Sequence, residues 1–372
     1  MIWSLPASQD TTIYESDPYR NAGLDEILEL RKTGDVSNYN LEESRILIKF
    51  DLTKLSSKLT EHSISINDIS ANLNLYPIIQ SELPQSYTIE AKALAADWKN
   101  GTGYATAPAG PQTSTSVVDG ATWISVGGLG TTSWSGSYAA GSEMIYYNSG
   151  SVGGGKWYTS SIASQSFNFK SSDKINIDIT NIVKDWYNGV YSNYGVVLSY
   201  RFNDITASNY PETNIQIYSS DTHTVYEPQL YINWTGSIVY STGSLSKITY
   251  EDDPIIYTKS FRGEYIKDNL IRINLGSRPK YPRSAFSQNS SFSFSKALPE
   301  ESYYQIKDAH NDETIIPFSE FTKINTNASG SFFNFYSTMM YPERYYKFEI
   351  KAVFDGITEY FQSNSYLFKI VK

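Results

Sequence analysis

Arg45-Ile-Leu-Ile-Lys-Phe-Asp-Leu52 places Ile46, Ile48 and Phe50 on one parity and Arg45, Leu47 and Lys49 on the other. Successive side chains of an extended chain face opposite ways, so this stretch reads as a half-buried β-strand. It ends at Asp51, whose carboxylate can accept amides of the turn that follows. The same period continues outward. Ala71, Leu73 and Leu75 alternate with Asn72 and Asn74, and Ile175, Ile177 and Ile179 alternate with Asn176 and Asp178. Leu230, Ile232 and Trp234 close the series. Short alternating strands separated by turn-rich joints predict all-β sandwiches, not a parallel α/β sheet.

Two segments break the period. Thr180–Gly189 puts Ile182, Val183 and Trp186 on one helical face, with Asp178 or Thr180 available as a cap and Gly189 as the left-handed residue after its end. This predicts a short helix over the end of a sandwich. A second short helix is predicted over Ile89–Asn100, with Ala91, Leu94 and Trp98 on one face and Asn100-Gly101 as its stop. Trp98 and Trp186 are assigned to the core.

The chain has 372 residues, long enough for two or three domains with sizeable cores. Aromatic residues make up 15% and charged residues only 19%, a balance that excludes disorder. A net charge of −9 argues against broad binding of nucleic-acid backbones. No apolar run reaches the ~18 residues of a membrane helix. With no cysteine, disulfides, thiol catalysis and Cys-based zinc sites are excluded. His62, His223 and His310 lie far apart in polar stretches and read as solvated surface residues. The opening Met1-Ile-Trp-Ser-Leu-Pro6 lacks the charged and apolar regions of a secretion signal.

Residues 101–160 are rich in Gly, Ser, Thr and Trp and poor in charge. So long an insertion is often a binding surface. Trp134, Tyr146, Tyr147, Trp157 and Tyr158 are therefore the candidates for stacking on a sugar or docking a protein, against the plainer reading that they pin the loop to the sandwich. Gly236–Pro254, polar and ending in Glu251-Asp-Asp-Pro254, reads as a linker between domains at 1–235 and 255–372. Beyond it, Tyr346, Phe348, Ile350, Ala352 and Phe354 alternate with Lys347, Glu349, Lys351 and Val353. Asp355-Gly356 follows at once, a strong hairpin signal. This part is predicted to be a smaller, immunoglobulin-like β-sandwich.

Catalytic and cofactor motifs are absent or incomplete. Asp97, Asp119, Asp178 and Asp185 lie near the Trp-rich region, but nothing pairs two of them across a sugar. Gly153-Gly-Gly-Lys156 lacks the P-loop spacing, since Trp157 follows the lysine. No catalytic residue and no cofactor is assigned; a structural calcium held by loop carboxylates and carbonyls stays open, as in many jelly rolls.

Asp10-Thr-Thr-Ile13 with Asn21-Ala-Gly23, Arg45–Leu52, Ala71–Tyr76, Ala121-Thr-Trp123, Ile177-Asp-Ile-Thr180 with Trp186, Asn193-Tyr-Gly195 and Pro228-Gln-Leu230 follow in order. Together they resemble the DNRLRE-domain family, a jelly-roll module related to carbohydrate-binding modules for acidic polysaccharides. The resemblance covers residues 7–235 and implies a jelly roll there, with long insertions and no ligand-contacting residue that can be carried over. Leu298–Asp308, Ile315–Phe318, Gly330–Phe333 and Pro342–Tyr346 resemble, less specifically, structural proteins of marine tailed phages. The two resemblances imply a non-enzymatic virion component at the neck, head surface or tail fibre. It would assemble in the host cytoplasm, as a homo-oligomer among other virion proteins, without nucleic-acid or membrane partners. The alternative they imply is a carbohydrate-binding module for acidic surface polysaccharide, serving host attachment.

Overall fold

The computed structural model describes every residue except 35–41, 82–85, 106–118, 129–132, 135–152, 169–173, 202–203, 205–211, 237 and 282–294. The chain is an all-β protein of two compact units: Leu5–Tyr231, and Met1–Ser4 together with Ile232–Lys372.

The first unit is built on β1 (Ile2–Tyr14), β2 (Ile27–Thr33), β3 (Glu42–Phe50), β4 (Ile69–Leu75), β5 (Pro77–Ser81), β6 (Ser86–Leu94), β7 (Trp157–Asn168), β8 (Ile175–Asp178), β9 (Val196–Tyr200), β10 (Thr213–Tyr218) and β11 (Gln229–Trp234). They pair in the order β5-β10-β2-β3-β1-β11-β4-β8, with β9 joining β3 to β6 and β7 beyond β6. The deciding stretch is β3. It pairs with β1 from Ala7↔Phe50 to Tyr14↔Ser44 and with β9 from Ile46↔Leu198 to Ile48↔Val196. Its strand was predicted to be half-buried. The structure buries both faces, because Ile46 and Ile48 lie in one apolar layer while Arg45 and Leu47 meet a cluster of tryptophans. Asp51 does accept a turn amide, that of Thr53 at 2.9 Å.

The helix α1 (Leu55–His62), not foreseen, buries Leu55 and Leu59. The predicted helix at 180–189 is present as α2 (Thr180–Tyr187), burying Ile182, Val183 and Trp186. Asp178 Oδ1 accepts the Thr180 amide at 2.9 Å, and Gly189 follows the helix with φ +71°. Of the predicted helix over Ile89–Asn100, the part to Leu94 is a strand and the rest is neither helix nor strand. Tyr87, Ile89, Ala91 and Ala93 are buried on one parity of β6, which pairs with both β7 and β9. The helical face Ala91–Leu94–Trp98 was a coincidence of spacing, because cross-strand pairing on both sides of β6 prevails over a weak helical period.

The second unit has two sheets. One orders β12 (Pro254–Lys259), β14 (Leu270–Pro279), β18 (Gly330–Tyr336) and β17 (Asn325–Asn327). The other orders β13 (Glu264–Ile266), β21 (Leu367–Val371), β19 (Tyr345–Phe354), β15 (Ser302–Asp308) and β16 (Thr314–Ile316), with β20 (Ile357–Phe361) on β19. Rings interdigitate between the sheets: Phe333 stacks on Tyr304 at 4.2 Å and meets Phe348 edge-on at 5.4 Å. The β19–β20 hairpin turns at Asp355-Gly356, both at positive φ, as the sequence predicts.

Residues 236–254, predicted to be a linker, pack in this unit. Tyr240 pairs with Thr326 and Lys247 with Ala297, and Ile248 is buried. Met1–Ser4 also belongs here and not with residues 5–231: the Trp234 amide donates to the Met1 carbonyl at 3.0 Å, and Trp3 is buried. The two corrections have different causes: the Ser-rich 236–254 segment offers backbone groups that complete a neighbouring sheet, whereas Met1–Ser4 is held by the burial of Ile2 and Trp3.

Candidate functional site

The tryptophans proposed as exposed contacts are inside the first unit. Trp134 and Trp157 are 3% and 2% exposed and pack with Trp98 and Trp123 around Leu47 and Val197. They are not placed to stack on a ligand. Trp98 Nε1 donates to the Tyr194 carbonyl and Trp134 Nε1 to the Thr122 carbonyl, each at 2.8 Å. Tyr158 is half-buried, with its ring stacked 3.9 Å from that of Tyr191, whose hydroxyl bonds Ser160 at 2.7 Å. Tyr146 and Tyr147 lie outside the described residues.

What holds the tryptophans is a buried cation. The Arg45 guanidinium lies 5.0 Å from the Trp123 ring and 5.2 Å from the Trp157 ring. It pairs with Glu43 and donates to the Gly154 carbonyl at 2.7 Å. Gly154 sits at φ +81°, and a Cβ there would stand 2.6 Å from that guanidinium, so the Gly153–Gly155 run brings the backbone against the charge. Lys92 Nζ lies 4.6 Å from the Trp157 ring and pairs with Glu90 at 3.1 Å. Glu15, beside Glu43, is pushed up to about 8, first by burial and then by that neighbour.

The open site of this unit lies elsewhere, in a cleft of about 770 Å³ where β1 leads into β2. The alternation of β2 builds its floor. Leu28 and Leu30 are fully buried, so Ile27, Glu29 and Arg31 share the opposite face. Gln216 of β10 pairs with Glu29 across the sheet, and its Nε2 donates to Glu29 Oε1 at 2.9 Å. The Tyr14 hydroxyl donates to Glu29 Oε2 at 3.3 Å. The wall is the turn after β1. There Arg20 donates to Asp17 at 2.7 Å and also to the Ala105 carbonyl. Asp25 accepts the Ala105 amide on both oxygens, at 3.1 and 3.0 Å, and burial raises its pKa.

Asn21 fixes this wall. Its amide donates to the carbonyls of Asn100 and Ala121, each at 2.8 Å, and its Oδ1 accepts the Gly103 amide at 2.9 Å. The next residue, Tyr104, is 51% exposed at the cleft. The readable signal for this site was the Ile27-Leu-Glu-Leu-Arg31 alternation beside the Asn21-Ala-Gly23 turn. It was missed because carboxylates on an outer strand face look like ordinary solvated surface.

The four carboxylates weighed for catalysis do other work. Asp97 pairs with Lys49 at 2.8 Å, Asp119 accepts from Thr102 at 2.8 Å, Asp178 receives the first amide of α2, and Asp185 accepts from Ser161 at 3.4 Å. Among the described residues, no group of three or more His, Cys, Asp or Glu is arranged to hold a metal ion. No helix among them is long and apolar enough to cross a membrane. Comparison of the chain with protein-family models, curated proteins and solved structures finds no match.

Proposed function

We propose that the protein is a non-enzymatic binding protein that takes a glycan in the cleft between the end of β1 and β2. The observation that carries this reading is the company of Tyr104. Its exposed ring stands at a cleft of about 770 Å³ whose acceptors and donors are held in place by their own hydrogen bonds. Sugars are recognised by this combination, an aromatic face for the C–H side of the ring and directed polar groups for its hydroxyls. The DNRLRE-like order of motifs supports sugar binding as such, since that family is related to carbohydrate-binding modules, although those take acidic polysaccharides. Titration of the full chain with an oligosaccharide panel tests it. At least one sugar should bind, and Tyr104→Ala should weaken that binding by about tenfold or more. Silence across the panel would overturn the reading.

A second reading, a virion component of a tailed phage, has its own observation. On the outer face of the sheet around β19, Tyr345 is 53%, Tyr360 57% and Leu367 42% exposed. Register puts them on one face, opposite Lys369, Lys351 and Lys347 respectively. A face of exposed rings interleaved with lysines suits docking on other virion proteins or on further copies of this acidic chain. Light scattering separates the two readings. A homo-oligomer that dissociates on Tyr345→Ser and Tyr360→Ser supports docking, and a monomer at every concentration tells against it.

A further inference from the structure

The charge of the cleft says which sugar it takes, an inference that rests on the glycan reading above. Asp17 and Arg20 neutralise each other through their 2.7 Å contact. That leaves the carboxylates of Asp25, Glu26 and Glu29 facing the single guanidinium of Arg31. His223 stands 3.6 Å from Glu26 at the exposed rim, and even when it is protonated, Asp25 and Glu29 outnumber Arg31. Glu29 is aimed and not merely present. Each of its oxygens already accepts one bond, from Tyr14 or Gln216, and each keeps a lone pair for a ligand.

We propose that the cleft selects a sugar bearing a free ammonium group, the 2-amino-2-deoxyhexose class, and rejects uronates. An ammonium offers three donors to carboxylates that lack a second cation, and such charge-assisted bonds are roughly twice as strong as neutral ones. A uronate would bring a further negative charge beside Asp25 and Glu29, a like-charge contact that opposes binding. The chain's net charge of −9 opposes the approach of any polyanion as well. N-acetylation removes the charge, so an acetylated sugar keeps the ring for Tyr104 and loses the ion pair. A lysine side chain offers the same ammonium with no ring.

Calorimetric titration of the full-length protein at low salt and slightly acidic pH decides the matter. The probes are tetramers of glucosamine, N-acetylglucosamine, glucose and galacturonate, together with tetralysine. The glucosamine tetramer should bind at least about tenfold more tightly than each of the others. Added salt should reduce that margin. Glu29→Gln, which keeps size and shape, should lower glucosamine affinity by about tenfold with the unfolding midpoint unchanged. Equal or tighter binding of the acetylated, neutral or uronate tetramer would overturn the inference and leave the glycan reading standing. Tetralysine binding as tightly as glucosamine would overturn it too. Binding of none of the sugars would overturn the glycan reading itself.

Discussion

The two units keep their charges in different places. In the first, both members of an ion pair go inside: the side chains of Arg45 and Glu43 are 4% and 1% exposed, and those of Lys92 and Glu90 4% and 14%. In the second, where a pair buries its anion, the cation still reaches water. Lys307 is 22% exposed above Glu349, and Arg344 is 30% exposed above Asp308. The interior of the second unit is made of rings, with Tyr304 donating to the Asn334 carbonyl at 3.0 Å and Tyr366 to the Ile256 carbonyl at 2.7 Å. Both interiors satisfy polar atoms across the chain: Tyr366 ties β12 to the segment before β21, and Arg45 ties residues 153–155 to β3. The end of β1 serves both interior and cleft, since Tyr14 reaches Glu29 while Glu15 accepts the Glu43 amide at 3.1 Å.

The sharpest way to break the comparison is Arg45→Ala. It leaves Glu43 buried without its cation and takes the charge from between Trp123 and Trp157, so the first unit should lose about 3–5 kcal/mol. Urea unfolding followed by tryptophan fluorescence measures this. A loss below about 1 kcal/mol would mean that the buried pair is not what holds the tryptophans.

Next in size is the response to pH. Asp10 is 1% exposed, accepts the Ser220 amide and hydroxyl at 2.7 and 3.0 Å, and is pushed up to about 7 by burial. A carboxyl with a raised folded-state value binds its proton more tightly in the folded chain. Its stability contribution is complete below the unfolded value near 4 and declines until the folded value is passed. Glu15 extends the decline to about 8. The melting temperature of the first unit should therefore fall from about pH 5 to about pH 8, and Asp10→Asn should flatten the slope. A profile that rises over this range would show these carboxyls to be ionised and paired in the folded state.

These charges also mark how far the sequence could be read. The alternation of β3 and β4, the helix α2 and the Asp355-Gly356 hairpin were legible because local period and turn chemistry agree with the tertiary outcome. The interior position of Trp134 and Trp157 was not legible. Nothing local says that a Gly- and Trp-rich stretch folds back onto an arginine three strands' worth of chain earlier. The strand β6 was misread because Ala91, Leu94 and Trp98 fall at helical spacing by coincidence, with Ala91 and Leu94 on opposite faces of the strand and Trp98 beyond its end. The cleft escaped notice because its carboxylates become a site only when Gln216, Tyr14 and Tyr104 arrive from distant segments.

A smaller effect tests the ring core. Tyr304→Phe keeps the stack on Phe333 and removes only the hydroxyl that satisfies the Asn334 carbonyl. The second unit should lose about 1 kcal/mol, read as a shift of its urea midpoint with an unchanged slope. A loss several times larger would show that this core depends on its polar atoms as heavily as the first unit does.

The smallest expected effect is the most exacting test of the contrast. Lys351 stands 5.6 Å from the Tyr303 ring on the outer face of β19, the geometric counterpart of Lys92 at 4.6 Å from Trp157. Lys351 is half-buried, whereas Lys92 is 3% exposed. Lys351→Met should change stability by no more than about 0.5 kcal/mol, since a partly exposed cation over a ring contributes little. Lys92→Met should cost clearly more, because the cation it removes is buried against Trp157 and Glu90, although Glu90 keeps Arg201 at 3.1 Å. Both are read from urea midpoints of the full chain. Equal losses at the two positions would mean that burial does not set the worth of a cation on a ring here, and the distinction between the two cores would fail at its root.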